Sequence, residues 1–214
     1  MNKKQHWENI YQNHQLKQVS WYEPIPETSL SIIKRFKLPK NAAIIDIGGG
    51  DSLLVDYLLL MGYNNITVLD ISEKAIERAK IRLGEKSRLV TWSVHDVLDF
   101  SAIKKYDLWH DRAAFHFFTD INDQEKYVDN VHQYLKPDGY LVLSTFSTEG
   151  PESCSGLPFQ QYSENSLSVL LNKYFEKIKC FTRMHITPFH TAQSFLFCSF
   201  KNREIEGYPC IAPI

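Results

Sequence analysis

Apolar runs alternate with amphipathic segments through the first two thirds of the chain. Residues 42–47 are almost continuously apolar and lead into three glycines, which is typical of a strand that a parallel sheet buries on both faces. Similar runs predict strands at 66–69, 89–94, 106–109 and 140–146, and periodic segments predict helices at 53–61, 73–83 and 123–135. This alternation indicates an α/β fold built on an open, doubly wound sheet.

The pattern changes after the fifth predicted strand. Residues 149–162 contain two prolines and two glycines without a clear period, which predicts a loop. Ser163 is the expected N-cap of a helix that reaches residue 171. Two long strands, 174–186 and 194–201, follow with a short connection between them, so we expect an antiparallel hairpin to close the sheet.

Length and composition predict one soluble globular domain. The chain has 214 residues, and a domain typically holds about 100–200. We expect residues 1–204 to form this domain, with 1–40 as a helical, aromatic-rich lid segment and 205–214 as a poorly ordered tail. The net charge of −1 argues against a nucleic-acid or anionic-lipid partner, and no apolar run reaches the 18 residues of a membrane span.

The first residues and the cysteines favour a cytoplasmic location. The basic start is not followed by an apolar stretch, so no secretory signal is expected. The gaps between successive cysteines are 26, 18 and 12 residues, and no C-x-x-C pair occurs. We therefore expect reduced thiols, with neither a disulfide framework nor a metal site, at Cys154, Cys180, Cys198 and Cys210.

The first two predicted strands end in a glycine-rich turn and an acid. Residues 46–52 read Asp-Ile-Gly-Gly-Gly-Asp-Ser, and glycines let the backbone approach a ligand closely. The alternative is a tight turn without a ligand, but three glycines cost backbone entropy. Asp70 lies 22 residues after Gly48, a spacing at which a carboxylate binds ribose hydroxyls. Its alternative role is to cap the next helix, for which Ser72 is better placed.

Polar clusters follow the next two predicted strands. In the segment 95–97, Asp96 could bind an adenine amino group beside the apolar Val97, and an ordinary loop aspartate is the alternative. The segment 110–112, His-Asp-Arg, also marks a site, with a structural Asp–Arg arrangement as its alternative. Because parallel strands end at the same edge of a sheet, we expect all four features to meet there.

In this order, the four features resemble the class I S-adenosylmethionine-dependent methyltransferases over residues 42–146. The first motif of that family matches Asp46-x-Gly48-x-Gly50, and its ribose-binding acid matches Asp70. The resemblance implies a seven-stranded Rossmann-like sheet, mostly parallel with an antiparallel last strand, and S-adenosyl-L-methionine as the cofactor, with S-adenosyl-L-homocysteine as its product. It implies cofactor binding by Asp46, Gly48, Gly50, Asp70, Ile71, Asp96, Val97 and His110.

The N-terminal segment adds three aromatic residues to this set. Trp7, Tyr11 and Trp21 resemble the entry segment of relatives of the elongation-factor lysine methyltransferases, where such residues help to enclose the cofactor. Trp7 and Tyr11 are four residues apart and share a helix face; ordinary packing of that helix on the sheet is the alternative. The turn departs from the family at Ser52, and Leu53 stands where a nicotinamide dehydrogenase would have its third glycine.

Methyl transfer from a sulfonium is an in-line displacement that depends mainly on positioning, so few catalytic residues are expected. For an acceptor that starts protonated, His110 and Asp111 are the candidate catalytic residues. His116 is a third candidate by location, although a core role is the favoured interpretation. The Asn/Asp-Pro-Pro-Tyr/Phe tetrapeptide of amide-methylating family members is absent after the fourth strand, which argues against that substrate class.

The acceptor is expected to be a small molecule or a protein side chain. A small-molecule enzyme should have a closed pocket under the N-terminal segment, and a protein-lysine enzyme an open, acidic channel. A non-catalytic cofactor-binding module and a nucleotide or NAD enzyme remain as alternatives, and a monomer or homodimer is expected. The acceptor side should include Cys154, Tyr162, His185 and His190.

Overall fold

The computed structural model describes residues 2–204, so the expected tail at 205–214 lies outside the described residues. Short 3-10 turns cover Leu16–Gln18, Gly84–Leu89 and Phe115–Phe117. The helices are α1 (Lys3–Asn13), α2 (Glu27–Arg35), α3 (Leu54–Leu60), α4 (Glu73–Leu83), α5 (Ile121–Tyr134) and α6 (Glu164–Leu171). The strands are β1 (Ile44–Ile47), β2 (Ile66–Asp70), β3 (Val90–Val94), β4 (Tyr106–Arg112), β5 (Leu135–Phe146), β6 (Phe175–Ile186) and β7 (Ala192–Asn202).

The seven strands form one sheet in the order β3-β2-β1-β4-β5-β7-β6. β1 pairs in parallel with β2 and β4, and β7 runs antiparallel to both of its neighbours, β5 and β6. The predicted sheet, mostly parallel with an antiparallel last strand, is therefore confirmed. The strand order reverses between β1 and β4. Ligands bind at such a reversal in doubly wound sheets.

Side chains of β1 alternate between two apolar layers. Ile45 belongs to the layer beneath α5 and α6, and Ile44 belongs to the layer beneath α2, α3 and α4. Both are fully buried, as expected for a strand covered on both faces. Ser72 and Ser163 cap α4 and α6 with their hydroxyl oxygens, as the sequence predicts.

Two predicted boundaries change in the structure. β4 continues to Arg112, so residues 110–112 lie within the strand rather than after it; the continued pairing of Asp111 with Leu143 and of Arg112 with Ser144 extends it. β5 begins at Leu135 rather than at residue 140, and residues 136–139 form an irregular bulge near its start, where Asp138 has a φ of 62°. The sequence shows the turn residues there but not the pairing of Leu135 with Tyr106 on the far side of the bulge.

The expectation of reduced thiols is wrong for one cysteine pair. Cys180 of β6 faces Cys198 of β7 in the antiparallel register, and the two sulfurs are bonded at 2.06 Å. Their Cα atoms are 4.2 Å apart. Eighteen residues of sequence separation do not reveal this contact, because the register of the hairpin creates it. Cys154 is a free thiol.

Over residues 2–204, the helices are too short or too polar to cross a membrane.

Candidate active site

A cavity opens at the carboxyl ends of β1, β2 and β4, where the four sequence features were expected to meet. It holds about 930 Å³ of space outside protein atoms, which includes open solvent at its mouth. Eight of the eleven predicted cofactor-binding residues line it: Trp7, Tyr11, Trp21, Gly48, Asp70, Ile71, Asp96 and Val97.

The glycine turn brings the backbone close to two carboxylates. Gly48 has a φ of 59° and Gly50 a φ of 24°, values that side chains of L-residues rarely adopt. A Cβ on Gly50 would overlap the Oδ2 atom of Asp70 and approach the Cβ of Ala75 to 2.9 Å. Gly50 lines neither the cavity nor the smaller pocket beside it, and its place is behind Asp70.

Asp70 ends β2 and is buried at the cavity wall. Its Oδ1 atom accepts a hydrogen bond from the Ser72 amide at 2.8 Å. Burial is the main cause that raises the pKa of this carboxyl to about 7; the charges of Asp46 and Glu8 act in the same direction, and the hydrogen bond from Ser72 opposes them. A desolvated carboxylate with so few donors is suited to accept hydrogen bonds from ligand hydroxyls. Its two expected roles coexist, since it supports the start of α4 and also faces the cavity.

Asp96 and Val97 follow β3 and line the same cavity. Asp96 accepts a hydrogen bond from the Leu98 amide at 3.0 Å, which fixes the turn after the strand. Val97 is buried in the layer beneath α5. The position therefore combines the loop role and the wall role that the sequence left as alternatives.

Asp46 and His110 form a buried pair beside the main cavity. The Nδ1 atom of His110 lies 2.6 Å from Asp46 Oδ1, and its Nε2 atom lies 2.9 Å from the hydroxyl of Ser29. Since a carboxylate only accepts hydrogen bonds, we assign the proton to Nδ1. Both residues line the smaller neighbouring pocket rather than the main cavity.

Asp111 points to the opposite side of β4 and is fully buried. Its Oδ1 atom accepts from the amides of Ala114 at 2.9 Å and Phe115 at 3.3 Å, and its Oδ2 atom accepts from the hydroxyl of Tyr127 at 2.7 Å. Burial raises the pKa of Asp111 to about 6, although the hydrogen bond from Tyr127 opposes this shift. Asp111 lines neither the main cavity nor its smaller neighbour.

Helix α1 lies over the cavity mouth and carries the predicted aromatic residues. The ring centroid of Trp7 is 5.7 Å from that of Trp21 and 5.2 Å from that of Phe117, and Tyr11 is 6.3 Å from Trp21. Every residue of α1 is half-buried or exposed in the described chain. Polar contacts therefore add to these aromatic contacts in holding α1 over the cavity.

Two such contacts connect α1 to α4. The carboxylate of Glu8 accepts from the amides of Glu73 at 2.7 Å and Lys74 at 3.1 Å, at the start of α4. Arg78 donates to the carbonyl oxygens of Tyr11 at 2.9 Å and His14 at 2.6 Å. Arg78 also forms an ion pair with Asp51 of the glycine turn at 2.7 Å, so one side chain connects α1 to that turn.

Sequence reasoning left out several wall residues. His116, for which a core role was the favoured interpretation, lines the cavity, and so does Arg112, for which a structural role was the alternative. Phe146 and Phe195 are opposite each other in the β5–β7 register, a pairing that sequence spacing does not show. The cavity wall also includes Lys3, Ser20, Ala113, Ala114, Phe117, Phe118 and Gln193.

The four expected acceptor-side residues take different positions. Cys154 lines the cavity. His185 lines a third pocket and lies 2.6 Å from the carbonyl oxygen of Ser20. Tyr162 is buried in the core, and His190 is exposed in the hairpin connection.

Sequence comparisons identify relatives along most of the chain. A family model described as a methyltransferase domain matches residues 45–141. Malonyl-[acyl-carrier protein] O-methyltransferase 1 of Ilyobacter polytropus is 30% identical over 168 residues, which are 73% of this chain and 61% of that protein. EEF1A lysine methyltransferase 2 of Homo sapiens is 22% identical over 186 residues, which are 75% of this chain and 78% of that protein.

This chain spans only part of some relatives. It covers 49% of malonyl-[acyl-carrier protein] O-methyltransferase 2 of Ilyobacter polytropus, at 33% identity over 132 residues. Among solved structures, the N-methyltransferase NodS of Bradyrhizobium japonicum, in complex with S-adenosylhomocysteine, matches with a TM-score of 0.70 and 19% identity. That match covers 95% of this chain and 100% of the other, and at this identity it shows the fold.

The cavity fits the cofactor of these relatives. Gly48 lines the cavity without a side chain, and the buried carboxylate of Asp70, against which Gly50 packs, belongs to the same wall. Leu53 stands where a nicotinamide-binding turn has its third glycine. Motif order, sheet topology and relatives agree: residues 45–141 are a methyltransferase domain of the S-adenosylmethionine-dependent, class I type.

Proposed function

We propose that this protein transfers a methyl group from S-adenosylmethionine to a small-molecule acceptor. The observation that carries the proposal is the lining of the cavity: one continuous wall includes both the predicted cofactor residues and an aromatic section, and Trp7 and Tyr11 of α1 are part of it. A protein-lysine substrate needs an open channel to the methyl group. The relatives named for malonyl-[acyl-carrier protein] and for EEF1A lysine leave both acceptor kinds open, and the position of α1 across the aromatic wall favours the small molecule.

Within this proposal, the glycine turn and Asp70 hold the nucleoside, with Asp96 and Val97 beside the base. Trp7, Tyr11 and Trp21 cover the site and exclude water. The cofactor supplies a methyl group on a positively charged sulfur, which leaves as a neutral thioether after in-line displacement. Aromatic faces suit that positive charge.

We assign positioning roles to the two candidate catalytic residues. His110 joins Asp46 to Ser29 and so ties β4 and β1 to α2 beneath the lid. Asp111 holds the turn after β4 through the Ala114 and Phe115 amides. Both carboxylate oxygens of Asp111 accept hydrogen bonds from the protein, and the residue lines neither pocket. It is therefore not placed to take a proton from an acceptor.

The proposal includes a single domain over residues 1–204, a monomer or homodimer without a nucleic-acid partner, and a cytoplasmic location. The net charge of −1 supports the exclusion of nucleic acid. Because a cytoplasm keeps thiols reduced, the cytoplasmic location predicts that Cys180 and Cys198, which are bonded in the structure, carry free thiols in the cell. Titration of free thiols in protein purified under non-reducing conditions measures which state the pair adopts, and light scattering measures the oligomer.

Thermal unfolding with S-adenosylmethionine or S-adenosylhomocysteine tests the cofactor site. Ligand at a hundred times its dissociation constant adds about 2.7 kcal/mol, which raises the Tm of a chain this size by roughly 5–11 °C. Asp70→Ala should lose most of this rise, and Asp99→Ala, at an exposed position, should keep it. A rise with NADH or ATP and none with either proposed ligand would contradict the proposal.

Methyl transfer from labelled S-adenosylmethionine tests the acceptor class. Cell extract is divided by ultrafiltration into small molecules and proteins, and each fraction is incubated with the enzyme. Label in the small-molecule fraction supports the proposal. Label confined to protein would contradict the small-molecule acceptor, and cofactor binding without label in either fraction would favour a non-catalytic binding module.

A further inference from the structure

His116 lines the cavity as a fully buried side chain. Neither of its ring nitrogens has a hydrogen-bond partner among residues 2–204, and the ring stacks on Phe146 with centroids 4.5 Å apart. Burial, with the charge of Arg112 acting in the same direction, lowers the pKa of His116 to about 3, so the imidazole is neutral. A buried neutral imidazole offers one donor and one acceptor, and leaving them unpaired is costly.

Arg112 also reaches the cavity with unused hydrogen-bonding capacity. Its Nη1 atom donates to the carbonyl oxygen of Trp21 at 3.1 Å, and its Nη2 atom forms an ion pair with Glu23 Oε1 at 3.0 Å. The buried Nε donor has no partner in the described part of the chain. The guanidinium carbon lies 5.3 Å from the ring centroid of Phe195, which fixes its position.

The charges on the wall distinguish two halves of the cavity. Within residues 2–204, four lysine, arginine or carboxylate side chains line the cavity: Lys3, Asp70, Asp96 and Arg112. Asp70 and Asp96 belong to the half that we assign to the cofactor. The remaining two are cations, and Glu23, the ionic partner of Arg112, lines the other two pockets rather than this one. The acceptor half therefore favours a negative charge.

We propose that Arg112 and His116 form the acceptor-binding wall, and that the acceptor is a small, mainly apolar molecule that carries a carboxylate. Arg112 binds the carboxylate, and His116 hydrogen-bonds a second polar group of the same molecule. This inference rests on the proposed function and adds the substrate class to it. A planar guanidinium matches a carboxylate well, and the surrounding Phe117, Phe146 and Phe195 suit an apolar body. An amine in the same place would meet the positive charge of Arg112.

Binding of small carboxylates and their neutral amides tests the proposal directly. The protein is saturated with S-adenosylhomocysteine, and calorimetry then measures binding of benzoate, 3-phenylpropanoate and hexanoate, each beside its amide and its amine analogue. We expect at least one carboxylate to bind at least tenfold more tightly than its amide and amine. Arg112→Gln should reduce this affinity at least tenfold, and Arg112→Lys should recover part of it.

Arg183→Gln is the matched control, because Arg183 lines a neighbouring pocket but not this cavity. It should bind the carboxylate like wild type. His116→Gln should weaken binding of acceptors that carry a second polar group and leave the simple carboxylates unchanged. The Tm rise with S-adenosylhomocysteine, retained in Arg112→Gln, shows that this variant folds and that its cofactor site is intact.

Three outcomes would overturn the carboxylate proposal. In the first, none of the carboxylates binds. In the second, acids and amides bind with equal affinity. In the third, amines bind more tightly than acids, and Arg112→Gln does not change that preference. Failure of the proposed function looks different, since S-adenosylhomocysteine would then fail to raise the Tm of wild type. If Arg112→Gln also loses that rise, the Arg112→Lys variant decides whether the positive charge is what the carboxylate requires.

Discussion

The carboxylate of Glu8 lies against the backbone amide of Glu73, with Oε1 2.7 Å from the nitrogen, although the two residues are 65 positions apart. The second oxygen of Glu8 accepts from the Lys74 amide and from the hydroxyl of Ser72. A helix from the lid therefore supplies the negative charge that the start of α4 favours. Because Trp7 is the neighbour of Glu8, the same contact holds an aromatic ring over the cavity.

Glu8→Gln should weaken cofactor binding. Loss of a charged helix cap costs about 1 kcal/mol, which corresponds to a roughly fivefold weaker affinity for S-adenosylhomocysteine if the lid must be closed to bind it. Calorimetry measures this change. Glu85→Gln is the control, because Glu85 pairs with Arg88 at the surface. Equal affinity of Glu8→Gln and wild type would show that the lid is held by other contacts.

Gly50→Ala should lose cofactor affinity by more than stability alone explains. The added Cβ would displace the Asp70 carboxylate, and the positive φ adds backbone strain of about 1–3 kcal/mol. Gly84→Ala shares the positive φ but has no atom within 4 Å of the added Cβ in the described chain. We expect both variants to melt earlier than wild type, and only Gly50→Ala to bind S-adenosylhomocysteine at least tenfold more weakly. Equal losses in both would remove the special role of Gly50.

Affinity for S-adenosylhomocysteine should rise between pH 6 and pH 8. The pKa of Asp70 is about 7 in the free protein, because of burial, and donors from ligand hydroxyls favour the ionised form. Binding then releases a proton, and the affinity grows roughly tenfold across this interval. Titration calorimetry at several pH values measures the slope. In Asp70→Asn the slope should disappear, and an unchanged slope would place the titrating group elsewhere.

The stability of the free protein should respond to pH in the opposite direction. The raised pKa of Asp70 means that the folded state holds a proton that the unfolded state releases above about pH 4. This contribution is fully present below pH 4 and is lost as the pH rises through about 7. Without ligand, Asp70→Asn should therefore be more stable than wild type at pH 8, by up to about 4 kcal/mol. Denaturant unfolding at pH 4 and pH 8 measures whether this difference closes at low pH.

Asp111 and Tyr127 should act as one structural unit. The Tyr127 hydroxyl donates to Asp111 Oδ2 at 2.7 Å, and both residues are fully buried. Asp111→Asn and Tyr127→Phe should each cost about 1–3 kcal/mol of unfolding free energy, and the double variant should cost about 1 kcal/mol less than their sum. Neither should change the affinity for S-adenosylhomocysteine. If Asp111→Asn instead stops methyl transfer while it folds stably and binds cofactor, Asp111 is catalytic.

Local signals explain the parts of the site that the sequence predicted well. The glycine turn follows β1 directly, and Asp70 is the last residue of β2. Both can be recognised from nearby residues, and parallel strands place their ends at one edge of the sheet. Asp46, His110 and Asp111 were harder to place. A strand alternates its side chains, so neighbours such as His110 and Asp111 point to opposite faces, and the sequence alone did not show that β4 continues through them.

The sequence by itself determined the alternation of strands and helices, the helix caps and the order of the cofactor motifs, because each depends on residues close in the chain. The tertiary structure alone decided which side chains share the acceptor wall. Arg112 lies against Phe195 of β7, His116 stacks on Phe146 of β5, and Cys180 pairs with Cys198, because strand register and sheet order bring distant segments together. Such contacts follow from how the whole chain packs, and no local pattern encodes them.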